Sequence, residues 1–294
     1  MEKFGRSWHT PSYSMRIGPY EIVSLEAGRF ALDGGAMFGS VPKTIWSRTN
    51  PADGRNRIEL ALRVLLISTE SKRILVDCGA GRVLSPKWQE IYGLDQNRHC
   101  LKQGLAKLGL RPEDVTDVVL THLHFDHAGG MTDHTDHGLG LTFPRATHFI
   151  QQRHWQWACQ PSEKDRASFL PETLGTLKSS SQVQILDGAC ELYPGVHLML
   201  SDGHTPGLQM VRIEDSSNVL FYPSDLLPTA SHLPLPYIMG YDLSPLTTLE
   251  EKRSALSQAC EGEWVIALEH DPRYEAIRIL RGEKYYEVAE SLVL

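Results

Sequence analysis

Four side chains able to bind a metal fall within the six residues His122-Leu123-His124-Phe125-Asp126-His127. They follow an apolar run, Val118-Val119-Leu120, that reads as a buried strand. Three more candidates lie downstream in loop-like settings: His204 in Gly203-His204-Thr205-Pro206-Gly207, Asp225 in Tyr222-Pro223-Ser224-Asp225, and His270 in Leu268-Glu269-His270-Asp271-Pro272. Five imidazoles and two carboxylates exceed what one tetrahedral ion takes. They suit two divalent ions that share a bridging carboxylate and a water-derived hydroxide. Zinc is the first expectation, with cobalt, manganese, nickel or iron as alternatives, and no thiolate is needed.

The spacing has a physical sense. Side chains alternate along an extended segment, so His122 and His124 project to one side while Leu123 and Phe125 project toward apolar packing. A turn into a helix near Asp126 would make Asp126 and His127 diverge, each toward a different part of a binuclear centre. Gly129 and Gly130 lack a Cβ and are expected to let the backbone pass close to the metals. His134, His137, His148 and His154 sit in no comparable frame and read as surface or hydrogen-bonded residues.

The elements that must position these groups are mostly strands. Strand-like runs cover 20–25, 59–68, 73–77, 115–121, 147–151, 183–186 and 196–200. Leu208–Ile213 and Val219–Tyr222 flank Glu214-Asp215-Ser216-Ser217-Asn218, a hairpin signal, and 264–268 is a late buried strand. Leu101, Leu105 and Leu108 fall at helical spacing before Gly109, and Thr247-Thr248-Leu249-Glu250 has the form of a capping box opening a helix toward Cys260. Each metal candidate follows a strand, where a packed scaffold presents loops at one edge. Periodicity alone yields a strand-rich mixed α/β (α+β) fold.

With 41% hydrophobic and 22% charged residues, the chain of 294 has the makings of a sizeable core. No linker, low-complexity tract or short repeat divides it, so one domain over 1–294 is expected, with an N-terminal extension at about 1–16. The net charge of −7 and the lack of a basic stripe argue against nucleic acid. Five scattered cysteines without a C-x-x-C fit reduced thiols in a cytoplasm. The first thirty residues hold no apolar core of a signal peptide, and the best apolar stretch, 60–67, contains Arg63 and is too short to span a membrane.

The pattern H-x-H-x-D-H at 122–127, followed by His204, Asp225 and His270, resembles the metallo-β-lactamase-fold superfamily. The resemblance runs from about Ile22 to beyond His270 and implies a four-layered αββα sandwich. It implies that His122, His124 and His204 hold one metal, that Asp126, His127 and His270 hold the other, and that Asp225 bridges them. Asp77, in Leu75-Val76-Asp77-Cys78-Gly79, matches the strand-end Asp that supports the metal loop; an ordinary turn residue is the other reading. Flavin-linked di-iron relatives carry Glu at the position of His124. Glyoxalase II adds a long helical domain, for which the 24 residues after His270 are too few.

Two further segments resemble the N-acyl-homoserine-lactone lactonases, the quorum-quenching branch. One is Asp33-Gly34-Gly35-Ala36-Met37-Phe38-Gly39 with Val41-Pro42-Lys43 and Trp46. The other runs from Asp225-Leu226-Leu227-Pro228-Thr229 through Pro234-Leu235-Pro236 to Tyr241-Asp242. The implied reaction is hydrolysis of the lactone ester ring by a hydroxide bridging two ions, with Asp126 passing a proton to the departing alkoxide. The resemblance also implies a homodimer acting on a small molecule, with no membrane partner. One position departs from the pattern. Pro228 stands where well-studied lactonases have a Tyr that contacts the lactone carbonyl, and His232, Tyr237 and Tyr241 are the candidate substitutes, with loop packing as their alternative role. Met37, Phe38 and the apolar side chains of 235–239 are the candidate acyl-chain surface. Phosphotriesterases of the methyl-parathion-hydrolase type also lack that Tyr, so organophosphate or aryl-ester hydrolysis is the alternative reaction. A metal-binding protein without catalysis is the third reading.

Overall fold

A computed structural model describes residues 14–95, 100–136 and 138–294. The extension expected at about 1–16 lies outside the described residues up to residue 13, as does His137; Met15 and Arg16 already belong to a strand. Along the chain the first half supplies β1 (Met15–Ile17), β2 (Tyr20–Asp33), β3 (Arg57–Ser68), β4 (Arg73–Val76) and β5 (Asp117–Val119). A separate hairpin, β6 (Thr132–Thr135) and β7 (Gly138–Leu141), precedes β8 (Thr147–Gln151) and β9 (Val183–Leu186). The second half supplies β10 (Cys190–Tyr193), β11 (Val196–Ser201), β12 (Leu208–Glu214), β13 (Val219–Tyr222), β14 (Val265–Ala267), β15 (Ala276–Arg281) and β16 (Tyr286–Leu292).

These strands make two large sheets. The first runs β1-β2-β3-β4-β5-β8-β9, antiparallel up to β4 and parallel from there on. The second runs β10 to β16 in chain order, with β13 and β14 its parallel pair. The apolar run of β3 shows why the sheets stack. Leu65 and Ile67 face the second sheet and join Val211, Ile213, Leu220 and Val265 in one buried cluster. Their neighbours Val64 and Leu66 point the other way, into a cluster with Leu75, Val118, Leu101 and Leu105. A strand covered on both faces must be apolar at every position, not at alternate ones.

Helices cover the outer faces. These are α1 (Gly34–Phe38), α2 (Lys43–Trp46), α3 (Pro86–Ile91), α4 (Leu101–Lys107), α5 (Phe125–Ala128), α6 (Gln152–Cys159), α7 (Pro171–Ser179) and α8 (Pro245–Glu261). Leu101 and Leu105 of α4, Ala158 of α6 and Leu177 of α7 pack on the first sheet. Leu256 and Ala259 of α8 pack on Met210, Phe221 and Ile266 of the second. The result is the four-layered αββα sandwich. Among the described residues no helix is long and apolar enough to cross a membrane, and all five cysteines are unpaired.

Three local expectations need correction. Strand β2 continues to Asp33 instead of ending near Leu25, because a register shift between Glu26 and Gly28 absorbs the break in its pattern. Helix α8 starts at Pro245, two residues ahead of the expected capping box. Proline presets the first helical turn there, which leaves Thr247 and Thr248 inside it. Gly129 and Gly130 are needed for contact with backbone, not with metals: an added Cβ would lie 2.3 Å from the Ala80 carbonyl oxygen and 2.0 Å from that of Cys78.

Candidate metal centre

The loops after β5, β11, β13 and β14 meet at one edge of the sandwich, and each delivers part of a buried cluster. His122, His124, His204 and Asp225 form one group and Asp126, His127 and His270 a second. Helix α5 starts at Phe125, so the extended stretch 122–124 turns at that point and parts Asp126 from His127. In the first group His122 Nε2 lies 3.0 Å from His124 Nδ1, and His204 Nε2 lies 3.2 Å from the same atom. In the second, His127 Nε2 and His270 Nε2 are 3.2 Å apart. Asp225 reaches both groups. Its Oδ2 is 3.1 Å from His204 Nε2 and 3.4 Å from His127 Nε2, while Oδ1 is 3.2 Å from His270 Nε2.

The outer ring nitrogens explain why lone pairs converge. In four of the five histidines, all but His124, the outer nitrogen is held by a partner that fixes the tautomer and leaves the inner nitrogen free to ligate. His204 Nδ1 faces Asp242 Oδ1 at 2.8 Å, His270 Nδ1 faces the Ala61 carbonyl at 2.8 Å, and His127 Nδ1 faces Asp77 Oδ2 at 3.1 Å. His122 Nδ1 lies 3.1 Å from Thr121 Oγ1. Nitrogens about 3.2 Å apart with no proton to share are spaced like two ligands of one tetrahedral ion with bonds of about 2.0 Å. Asp225 Oδ1, fully buried, has no hydrogen-bond donor. An orphaned buried carboxylate oxygen costs free energy unless a cation meets it. The donor set therefore fits two divalent ions.

Charge in the cluster points the same way. Burial and the neighbouring imidazoles push His122 and His124 well below the usual histidine range, as ligands require. Burial alone would raise the Asp225 carboxyl, but His127, His204 and His270 hold it well below the carboxylate range. Burial also works against a charge on His270, yet the Asp225 carboxylate outweighs it and lifts the ring to about 9. The attraction that draws a proton to that ring is one that a cation would satisfy.

Several supporting residues gave no signal in the sequence. Glu269 is buried beside His270, with Oε1 3.1 Å from His127 Nδ1. Burial raises its carboxyl to about 7. His154 accepts the Leu123 N–H at Nε2 (2.7 Å) and faces the Pro206 carbonyl with Nδ1 (3.1 Å), so it ties the first ligand loop to the His204 loop. It is not a ligand. Glu251 of α8 receives Ser201 Oγ at 2.6 Å and the Asp202 N–H at 2.8 Å, which steadies the approach to His204. Asp77, in contrast, is the strand-end residue singled out from the sequence; it is fully buried and accepts from the Thr121 N–H (2.8 Å) and hydroxyl (2.7 Å) as well as facing His127.

A cavity of about 780 Å³ opens over the cluster, lined among others by Leu32, Met37, Tyr92, Phe125, Met239 and Tyr241 together with Asp126 and Asp225. Met37 and Tyr241 thus stand where a substrate would meet them. Phe38, His232 and Tyr237 do not line it. Phe38 is fully buried, stacked between Trp46 (5.6 Å between ring centroids) and His232 (4.6 Å). His232 is held by Thr229 Oγ1 at 2.7 Å and by the Met37 carbonyl at 2.8 Å, and Tyr237 packs edge-on against Phe38. Successive side chains of a helix point about 100° apart, so Met37, though buried, borders the cavity while Phe38 lies wholly in the core. Phe38→Ala is accordingly expected to cost about 3–5 kcal/mol in urea unfolding, with losses of kcat/KM that do not depend on acyl-chain length.

The surrounding loop is anchored by two lysines. Lys252, 1% exposed, donates to the carbonyls of His232, Pro234 and Tyr237 at 2.7–3.2 Å. Burial draws its pKa down to about 7, while three carbonyl acceptors match the three protons of the charged form. Lys164 donates in the same way to Gly240, Tyr241 and Asp242 at 2.9–3.1 Å. The cavity wall at 232–242 is therefore fixed from both ends.

Comparison with known proteins places this geometry. N-acyl homoserine lactonase AttM of Agrobacterium fabrum is 27% identical over 187 residues, a match covering 61% of this chain and 66% of that protein. An N-acyl homoserine lactonase of Bacillus cereus is 29% identical over 182 residues, covering 56% of this chain and 63% of that protein. The matched region thus spans less than two thirds of the length of these curated relatives. A crystal structure of a probable metal-dependent hydrolase from Staphylococcus aureus superposes with a TM-score of 0.85 at 31% identity, covering 95% of this chain and 100% of that one. AidC, a dizinc quorum-quenching lactonase solved in complex with a product, has the same fold, with a TM-score of 0.79 at 22% identity over 96% of this chain and 97% of that one. The metallo-beta-lactamase superfamily model matches residues 63–270, a span that runs from β3 to the last cluster histidine and contains all seven converging side chains; the chain belongs to that superfamily.

Proposed function

We propose that this chain is a metal-dependent hydrolase that opens the ester ring of lactones, N-acyl homoserine lactones first among them. The observation that carries the reading is Asp225, whose carboxylate lies between the two imidazole groups, with Oδ2 against His204 and His127 and Oδ1 against His270. His122, His124 and His204 would hold one ion and Asp126, His127 and His270 the other, with Asp225 between them. Two divalent ions, zinc in this reading, supply Lewis acidity and a hydroxide nucleophile near neutral pH. The lactonase names of the curated relatives support the substrate class. The reading includes a homodimer in the cytoplasm and one domain over the whole chain.

The protein's own groups have separable tasks. Asp126 lines the cavity and lies 3.7 Å from His270 Nε2 and 3.8 Å from His127 Nε2. From there it can pass a proton to the alkoxide that leaves when the ester C–O bond breaks. Hydrolysis adds one water and yields a hydroxy acid, so no organic cofactor is required. Met37, Met239, Leu32 and Phe125 give the acyl tail an apolar wall.

Phosphotriester or aryl-ester hydrolysis is the second reading, favoured by Pro228 and by the aromatic wall of Tyr92 and Phe125. A panel of lactones, aryl esters and phosphotriesters, followed by a pH indicator on metal-loaded protein, separates the two. Lactone turnover above the others is expected. Phosphotriester turnover far above lactone turnover would reverse the order, and no turnover of any class would leave only metal binding.

A further inference from the structure

The cavity contains two phenols with nothing to bind. The hydroxyls of Tyr92 and Tyr241 make no hydrogen bond within the protein among the described residues, although both rings are partly buried. Neither phenol oxygen is fully buried, so both hydroxyls open onto the cavity. Most other donors of the wall are committed. All three protons of Lys164 go to backbone carbonyls, and the Gly240 N–H goes to the Ala36 carbonyl at 2.7 Å. Ser168 has the only other uncommitted hydroxyl among the described lining residues.

The two phenols share one wall of the cavity, packed on the apolar cluster that holds Met37 and Phe125. The Tyr92 ring stacks on Phe125 at 4.4 Å with an interplanar angle of 14°, and Phe125 directly precedes Asp126. Tyr241 precedes Asp242, whose carboxylate orients His204, and Lys164 holds the backbone of both. Both rings therefore stand on the Asp126 side of the cavity. Burial, with the Asp126 carboxylate adding to it, pushes the Tyr92 hydroxyl up to about 12 and raises Tyr241 as well. Both remain neutral donors at any physiological pH. Lys164, the lysine of the described lining, spends its donors on backbone carbonyls, which leaves the two phenols to donate to an acceptor on the substrate.

We propose that Tyr92 and Tyr241 form a subsite for a neutral carbonyl beside the scissile ester, the amide carbonyl of an N-acyl lactone. This rests on the lactonase reading and deepens it. The ester carbonyl and departing oxygen belong to the cluster below. The next acceptor along such a substrate is its amide oxygen, three bonds from the ring carbon, and it would face the wall that carries the phenols. The pair would then select amide-bearing lactones over plain alkyl lactones.

The test uses Tyr92→Phe, Tyr241→Phe and the double variant in the metal-loaded chain. Phenylalanine keeps the ring and deletes only the donor. Two substrates are compared, N-hexanoyl homoserine lactone and a γ-alkyl lactone of matched length without an amide. Each single substitution is expected to lower the ratio of kcat/KM for the amide lactone over the plain one by about five- to tenfold, seen mainly in KM, as one lost hydrogen bond implies. Calorimetric binding of ring-opened N-hexanoyl homoserine should weaken by the same factor. Equal losses on both lactones, or no loss on either, would overturn the subsite and leave the lactonase reading standing. A wild-type chain that opens neither lactone would overturn both.

Discussion

Asp225→Ala is expected to lower kcat/KM by well over a hundredfold and to reduce bound metal from two ions to about one per chain. Supporting residues outside the ligand set already change affinity or activity by about 10–100-fold when removed, and a residue that touches both groups must count for more. The fold should survive. Asp225 Oδ1 has no hydrogen-bond donor, whereas its neighbour Ser224 fixes the turn by donating from Oγ to Thr121 Oγ1 at 3.0 Å. In metal-free protein the substitution removes the counter-charge of His127, His204 and His270, so near neutral pH the unfolding midpoint of the variant should fall somewhat below that of the wild type. Failure of the variant to fold at all would make Asp225 a scaffold residue first.

Asp77→Ala should have the opposite balance, with a large effect on stability and a secondary one on chemistry. Asp77 sits in left-handed backbone at φ 61° and accepts from the Thr121 N–H, the Thr121 hydroxyl and His127 Nδ1. Truncation strands buried donors at about 1–3 kcal/mol each and loses the polar side chain that tolerates this backbone. A loss of about 3 kcal/mol or more in urea unfolding is expected, with metal affinity down about 10–100-fold. Asp77→Asn keeps the shape and tolerates the backbone but can accept with only one atom. It should fold better than the alanine variant while keeping much of the metal defect. If both variants unfolded alike and bound metal like the wild type, Asp77 would be no more than a turn residue.

What the sequence made legible follows from how local each signal is. The run 122–127 carries its own geometry, since alternation along three extended residues and one helical turn suffices to aim the ligands. Strand β13 was readable because both ends are marked by turn residues, Asn218 before it and Pro223 after it. The acyl-side residues were not. Met37 and Phe38 are adjacent and both apolar, and only the packing of α1 under Trp46 decides which one reaches the cavity. Lys252 reads as an ordinary surface residue of an amphipathic helix, yet it is buried under three carbonyls supplied by a loop fifteen to twenty positions earlier. Glu269 and His154 act through neighbours brought close by the second sheet and by α6, and nothing in their own sequence context marks them. Tyr92 owes its place to stacking on Phe125, a contact between segments 33 residues apart.

The central claim is a binuclear hydrolytic centre, and the most direct test is activity against metal content. Protein stripped of metal by a chelator is titrated with zinc while lactone opening and bound metal are measured on the same samples. The account predicts activity that rises until about two equivalents are bound per chain and then levels off. Full activity at one equivalent, with no further gain as a second ion binds, would contradict it.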